Sequence, residues 1–147
     1  AFHRQVLPER PGLEVTAVPV VHYTMDAYGF RVQGDRLLAY SGDSGPCASM
    51  ERLAQGCDVL VHMCHYLSGT ELCPEFAESC MGHLELARLG EKTGAKTLVL
   101  SHVTEQIDQV GVRERVLREM SEIYKGNLIF GEDRMEIPAK VAPARLL

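Results

Sequence analysis

The alternation of apolar and polar positions divides this chain into short strands and amphipathic helices. Leu13–Val21 is a β-branched run bounded by Pro11-Gly12, and Tyr28–Val32 and Arg36–Tyr40 flank the turn Gln33-Gly34-Asp35, which predicts a strand followed by a hairpin. Met50, Leu53 and Ala54 share one face of a helix predicted over Ala48–Gln55 and ended by Gly56. Asp58–Met63 reads as a buried strand. Cys64–Met81 lacks a clear period and reads as loop, with one helical turn near Pro74–Ser79. Beyond it the pattern predicts a helix over His83–Lys92 capped by Gly94, a strand over Thr97–Leu100, and a helix over Val110–Tyr124 carrying Val112, Val116, Leu117, Met120 and Ile123 at helical spacing. Asn127–Phe130 and Arg134–Ile137 finish as two short strands. Strands alternating with helices imply a mixed or partly parallel sheet with helices on at least one face, hence a layered α/β architecture.

Placing the reactive side chains on this scheme gives the informative result. His22, Asp43, the group His62, Cys64 and His65, and His102 all fall just beyond the carboxyl ends of predicted strands. In open α/β sheets that edge is where ligands bind, so the set is a candidate metal or acid–base cluster. Each member alone has a plainer reading: a histidine satisfied in the core or at the surface, or an aspartate forming the turn of Gly-Asp-Ser-Gly. The joint placement is what favours chemistry. Imidazole and carboxylate suit zinc, iron or manganese.

Composition narrows the alternatives. The 147 residues suit a single domain, and 46% hydrophobic with 24% charged residues describes an ordinary globule without a membrane span. A net charge of −5 gives no electrostatic footprint for nonspecific nucleic-acid or acidic-lipid binding. Five cysteines without a Cys-x-x-Cys pair point to reduced thiols and a cytoplasmic setting. The chain opens Ala1-Phe2-His3-Arg4, with neither an initiator Met nor a signal-peptide core, as an internal cut would. No phosphate-binding glycine loop occurs, and no Asp-x-x-His accompanies Ser44 to make a Gly-Asp-Ser esterase.

Taken in order, His22 within Val-Val-His-Tyr-Thr-Met-Asp-Ala-Tyr-Gly-Phe-Arg-Val, then Tyr-Ser-Gly-Asp-Ser-Gly-Pro-Cys, Asp-Val-Leu-Val-His, Gly-His-Leu and Leu-Val-Leu-Ser-His resemble the metallo-β-lactamase fold, nearest its ribonuclease Z and arylsulfatase-like branch. The likeness runs from about Leu13 to Ile137. It implies an αββα sandwich with a two-metal site on one edge, His22 matching a ligand to the first ion, Asp43 the bridging carboxylate and His102 a ligand to the second. It implies two zinc ions, with manganese or iron as substitutes, and a hydrolase acting through metal-activated hydroxide. His83 matches a histidine placed to protonate the leaving oxygen, with helix capping as its competing role. The branch carries Glu where this chain has Met63, which leaves no evident carboxylate to orient His83.

The family's His-x-His-x-Asp-His segment is missing from residues 1–147, so the resemblance implies the carboxyl-terminal half of an enzyme, inactive by itself. Half a sandwich leaves an apolar sheet face uncovered, which favours association such as a homodimer. Only one hairpin fits between His22 and Asp43, where transfer-RNA-processing members carry a long arm. With the negative charge, that favours a small phosphodiester or sulfate ester over nucleic acid as substrate. A noncatalytic binding or scaffolding domain of the same fold is the alternative, and Met63 is its best support.

Overall fold

The computed structural model describes residues 3–6 and 12–137; the unit expected over 1–147 therefore extends outside the described residues. Seven strands form one sheet in strict chain order: β1 (His3–Val6), β2 (Glu14–Val20), β3 (Ala27–Gln33), β4 (Leu37–Tyr40), β5 (Val59–Met63), β6 (Thr97–Ser101) and β7 (Asn127–Phe130). Strands β1 to β4 are antiparallel neighbours joined by short connections, and β4 to β7 are parallel. Parallel pairing demands a crossover, and the helices supply it: α1 (Ala48–Ala54) between β4 and β5, α3 (His83–Thr93) between β5 and β6, and α4 (Val112–Ile123) between β6 and β7. A short α2 (Pro74–Ser79), with Pro74 at its first position, interrupts the loop ahead of α3.

Strand periodicity sorts the side chains between two faces. Val18, Val20, Ala39, Leu60, Leu98 and Leu100 turn toward the helices and are buried against Met50, Leu53, Leu86, Val116 and Met120. Full burial of each Leu contributes roughly 1.5–3 kcal/mol. Helix α3 lies between α1 and α4, and Gly94 ends it in the left-handed region at φ 65°. The opposite face carries Tyr28, Phe30 and Tyr40, exposed at 42%, 37% and 43%, with Phe30 and Tyr40 in register across β3 and β4. The layered α/β architecture is therefore as expected, with one helical layer on one mixed sheet.

Two boundaries differ from the sequence reading. His3–Val6 adds an edge strand that the pattern did not announce. Arg134–Ile137, expected as the last strand, is instead a turn at Asp133–Arg134 followed by residues outside any ladder. Alternation specifies an extended segment, but a strand also needs a partner; Met135 and Ile137 instead line a cavity with Val61 and Val99. All five cysteines are free thiols, and no helix among the described residues is long and apolar enough to cross a membrane.

Candidate functional site

Four strand ends build the candidate site along one sheet edge. His22 follows β2, and its Nδ1 lies 2.9 Å from the Ser79 carbonyl. A carbonyl only accepts, so Nδ1 carries the proton and Nε2 presents its lone pair. Asp43 follows β4 in a turn fixed at three points: Gly42 is left-handed at φ 56°, the Gly45 N–H donates to the Val21 carbonyl at 2.7 Å, and the Ser44 N–H meets the Met63 sulfur at 2.9 Å. His102 follows β6, also left-handed at φ 47°, and its Nδ1 donates to Asp43 Oδ1 at 2.6 Å.

His65, just past β5, is the fourth member. Its ring stands edge-on to His102, centroids 5.1 Å apart at 83°. Burial lowers its pKa most, the neighbouring His102 adds to that, Asp43 pulls the other way, and His22 lowers it further. All three expected donors therefore act electrostatically on one imidazole. Main-chain bonds hold this loop: the His65 N–H donates to the Met81 carbonyl at 2.8 Å, and Thr104 Oγ1 donates to the His65 carbonyl at 2.9 Å.

The other reactive groups go elsewhere. His62 turns into the core, fully buried, with Nδ1 near the Met63 carbonyl and Nε2 without a hydrogen-bond partner among the described residues. Burial pushes its pKa down to about 4. Cys64 is equally buried, and its thiol is pushed up to about 12 by the same cause. His83 is 1% exposed and engaged at both ring nitrogens: the Ser68 N–H donates to Nδ1 at 3.0 Å, and Nε2 donates to Glu119 Oε2 at 2.8 Å. Arg115 Nε holds the other Glu119 oxygen at 2.7 Å. The carboxylate that orients His83 thus comes from α4, correcting the expectation that Met63 leaves it without one. Local sequence carries no signal for Glu119, because only the packing of α3 on α4 brings it to His83.

The donor chemistry suits a metal ion, and the Ser79 carbonyl on His22 is the outer-shell contact that orients ligating imidazoles. Yet among the described residues no group of three or more His, Cys, Asp or Glu side chains is placed to hold a metal ion. His102 and Asp43 bond instead to each other.

Comparison with known proteins places this geometry in a family. The model of the "Beta-lactamase superfamily domain" matches residues 3–103. Ribonuclease Z of Methanosarcina acetivorans is 30% identical over 111 residues, covering 74% of this chain and 34% of that protein. Ribonuclease BN of Escherichia coli O1:K1 / APEC is 32% identical over 92 residues, covering 60% of this chain and 28% of that protein. Among solved structures, the metallo-β-lactamase fold protein YhfI from Bacillus subtilis superposes with TM-score 0.70 at 19% identity, covering 84% of this chain and 47% of that one. Human tRNase Z, short form, does so with TM-score 0.65 at 20% identity, covering 90% and 44%. The chain spans about a third of the length of the first curated relatives it matches. Ribonucleases among those relatives overturn the expectation of a small-molecule ester over nucleic acid. The net charge of −5 behind that expectation counts only a segment this long, so it does not measure the surface a complete relative offers to RNA. The superposed metallo-β-lactamase fold and the matching family model agree that this chain belongs to the beta-lactamase superfamily, with ribonucleases Z and BN among its relatives.

Proposed function

We propose that the chain is the carboxyl-terminal half of a metal-dependent hydrolase that cleaves RNA phosphodiester bonds, contributing His22, Asp43 and His102 to a two-zinc centre. The observation that carries this reading is the meeting of Asp43 and His102 at 2.6 Å on the sheet edge, from positions far apart in sequence. The ribonuclease names of the relatives support RNA as the substrate class. Zinc, or manganese or iron in its place, would supply Lewis-acid charge for the phosphodiester and for water.

The chain's own residues prepare that edge. The Ser79 carbonyl retains the Nδ1 proton of His22 and leaves Nε2 for a cation. The tethered turn at Gly42–Gly45 presents the Asp43 carboxylate, whose two oxygens suit a bridging role. Burial, and then the neighbouring His102, disfavour the charged form of His65. With both ring nitrogens in use, His83 serves to position the loop at Ser68 and not to donate a proton to substrate.

Three donors fall short of what two tetrahedral ions require. Zinc calorimetry on this chain alone is accordingly expected to give weak binding; a tight two-ion isotherm would show that it needs no further ligands. In the complete protein, Asp43→Asn is expected to slow chelator-sensitive RNA cleavage roughly 100-fold, the scale of losing one group that stabilises developing charge. RNA cleavage unchanged in Asp43→Asn would remove Asp43 from the reacting centre, and no RNA cleavage by the complete protein would leave a noncatalytic domain.

A further inference from the structure

Tyr23 stands beside the donor set without belonging to it. Its backbone is left-handed at φ 51°, a conformation that strains a bulky residue. Among the described residues the other non-glycine examples are His102 at φ 47°, a member of the candidate site, and Arg134 at φ 65°. Core packing does not repay the strain at Tyr23, because the residue is 48% exposed. Local bonds sustain it: the Met25 N–H donates to the His22 carbonyl at 3.1 Å, and the Cys80 thiol donates to the Tyr23 hydroxyl at 3.7 Å. These contacts hold the phenol edge-on to His22, with centroids 5.1 Å apart at 69°. The result is an exposed aromatic ring in a fixed attitude, adjoining an imidazole that is itself fixed by Ser79.

A ring so held suits another flat ring. Every nucleobase offers a π-face, so stacking on an aromatic side chain tolerates any base sequence. We infer that Tyr23 is a base-stacking residue, holding the nucleotide that adjoins the scissile phosphodiester against the edge carrying His22, Asp43 and His102. The inference rests on the reading of RNA as substrate.

The sequence contains no tryptophan, so Tyr23→Trp introduces a single fluorescent reporter. Titration at low salt with an unstructured RNA of roughly 12 nucleotides is expected to quench it saturably, whereas Gln55→Trp, exposed after α1, is expected to remain unquenched. By anisotropy of the labelled RNA, Tyr23→Ala is expected to bind about tenfold more weakly than the unsubstituted chain, and Tyr23→Phe, which keeps the ring and loses the Cys80 contact, to fall between the two. Circular dichroism melts show whether each variant is folded. Equal affinity for Tyr23→Ala and the unsubstituted chain would overturn the stacking role and leave RNA recognition standing. Absence of binding by the unsubstituted chain would overturn both.

Discussion

Gly45→Ala is expected to destabilise the fold by about 4 kcal/mol or more, a size reserved for a short list of mechanisms. The mechanism here is backbone meeting backbone: a Cβ at position 45 would lie 2.1 Å from the Glu78 carbonyl oxygen, 2.7 Å from its carbon and 2.9 Å from the Ser79 carbonyl carbon. No side-chain rotation relieves such contacts. The 78–79 segment has to withdraw, and it cannot do so without losing the Ser79 carbonyl that holds His22. Urea unfolding would show a lower midpoint with an unchanged slope, and the thermal midpoint would fall by roughly 10 °C or more. The Nδ1 proton of His22 would also lose its partner, which histidine side-chain NMR would detect. A Gly45→Ala chain within 1 kcal/mol of the parent would mean that residues 78–79 do not sit against this turn.

Acidification is expected to weaken the fold by about 3 kcal/mol between pH 7 and pH 4 through His62 alone. In the unfolded chain this imidazole takes up a proton near pH 6.5, while in the fold burial holds its pKa down to about 4. Between those values the unfolded state binds more protons, so stability is complete above pH 6.5 and is lost as the pH falls toward 4. His62→Leu removes both the titration and the unpartnered Nε2, so its stability over this range is expected to be flatter and at pH 5 higher than that of the parent. Urea titrations of both chains at pH 7, 6, 5 and 4 make the comparison. Parallel losses in the two proteins would assign the acid sensitivity to other groups.

The sequence already indicated much of this architecture, for a physical reason. Periodicity reports which face of an element is covered, so β2 through β7 and the helices α1, α3 and α4 fall where apolar spacing places them. Strand ends share an edge, which is why Asp43 and His102 could be paired before their 2.6 Å contact was seen. What periodicity cannot report is the partner across a tertiary contact. Glu119 meets His83 only because α4 packs on α3, and His62 lies within β5 facing the core while His65 lies in the loop beyond its end. Arg134–Ile137 shows the same limit, since its alternation is real and no neighbouring strand receives it. The substrate expectation rested in part on a charge of −5 counted on a chain that matches only about a third of the length of its relatives.

The strict chain order of the sheet bears on how the molecule is assembled. Every described strand pairs with the one made just before it, so no ladder waits for a strand from elsewhere in the order. A chain emerging from the ribosome could add one strand at a time to a growing edge, each crossover helix sealing one side as it forms. No described helix covers the other side. Tyr28, Phe30 and Tyr40 are in place once β4 has docked and stay wet through every later step, which makes the newly made sheet sticky on one side from its fourth strand onward.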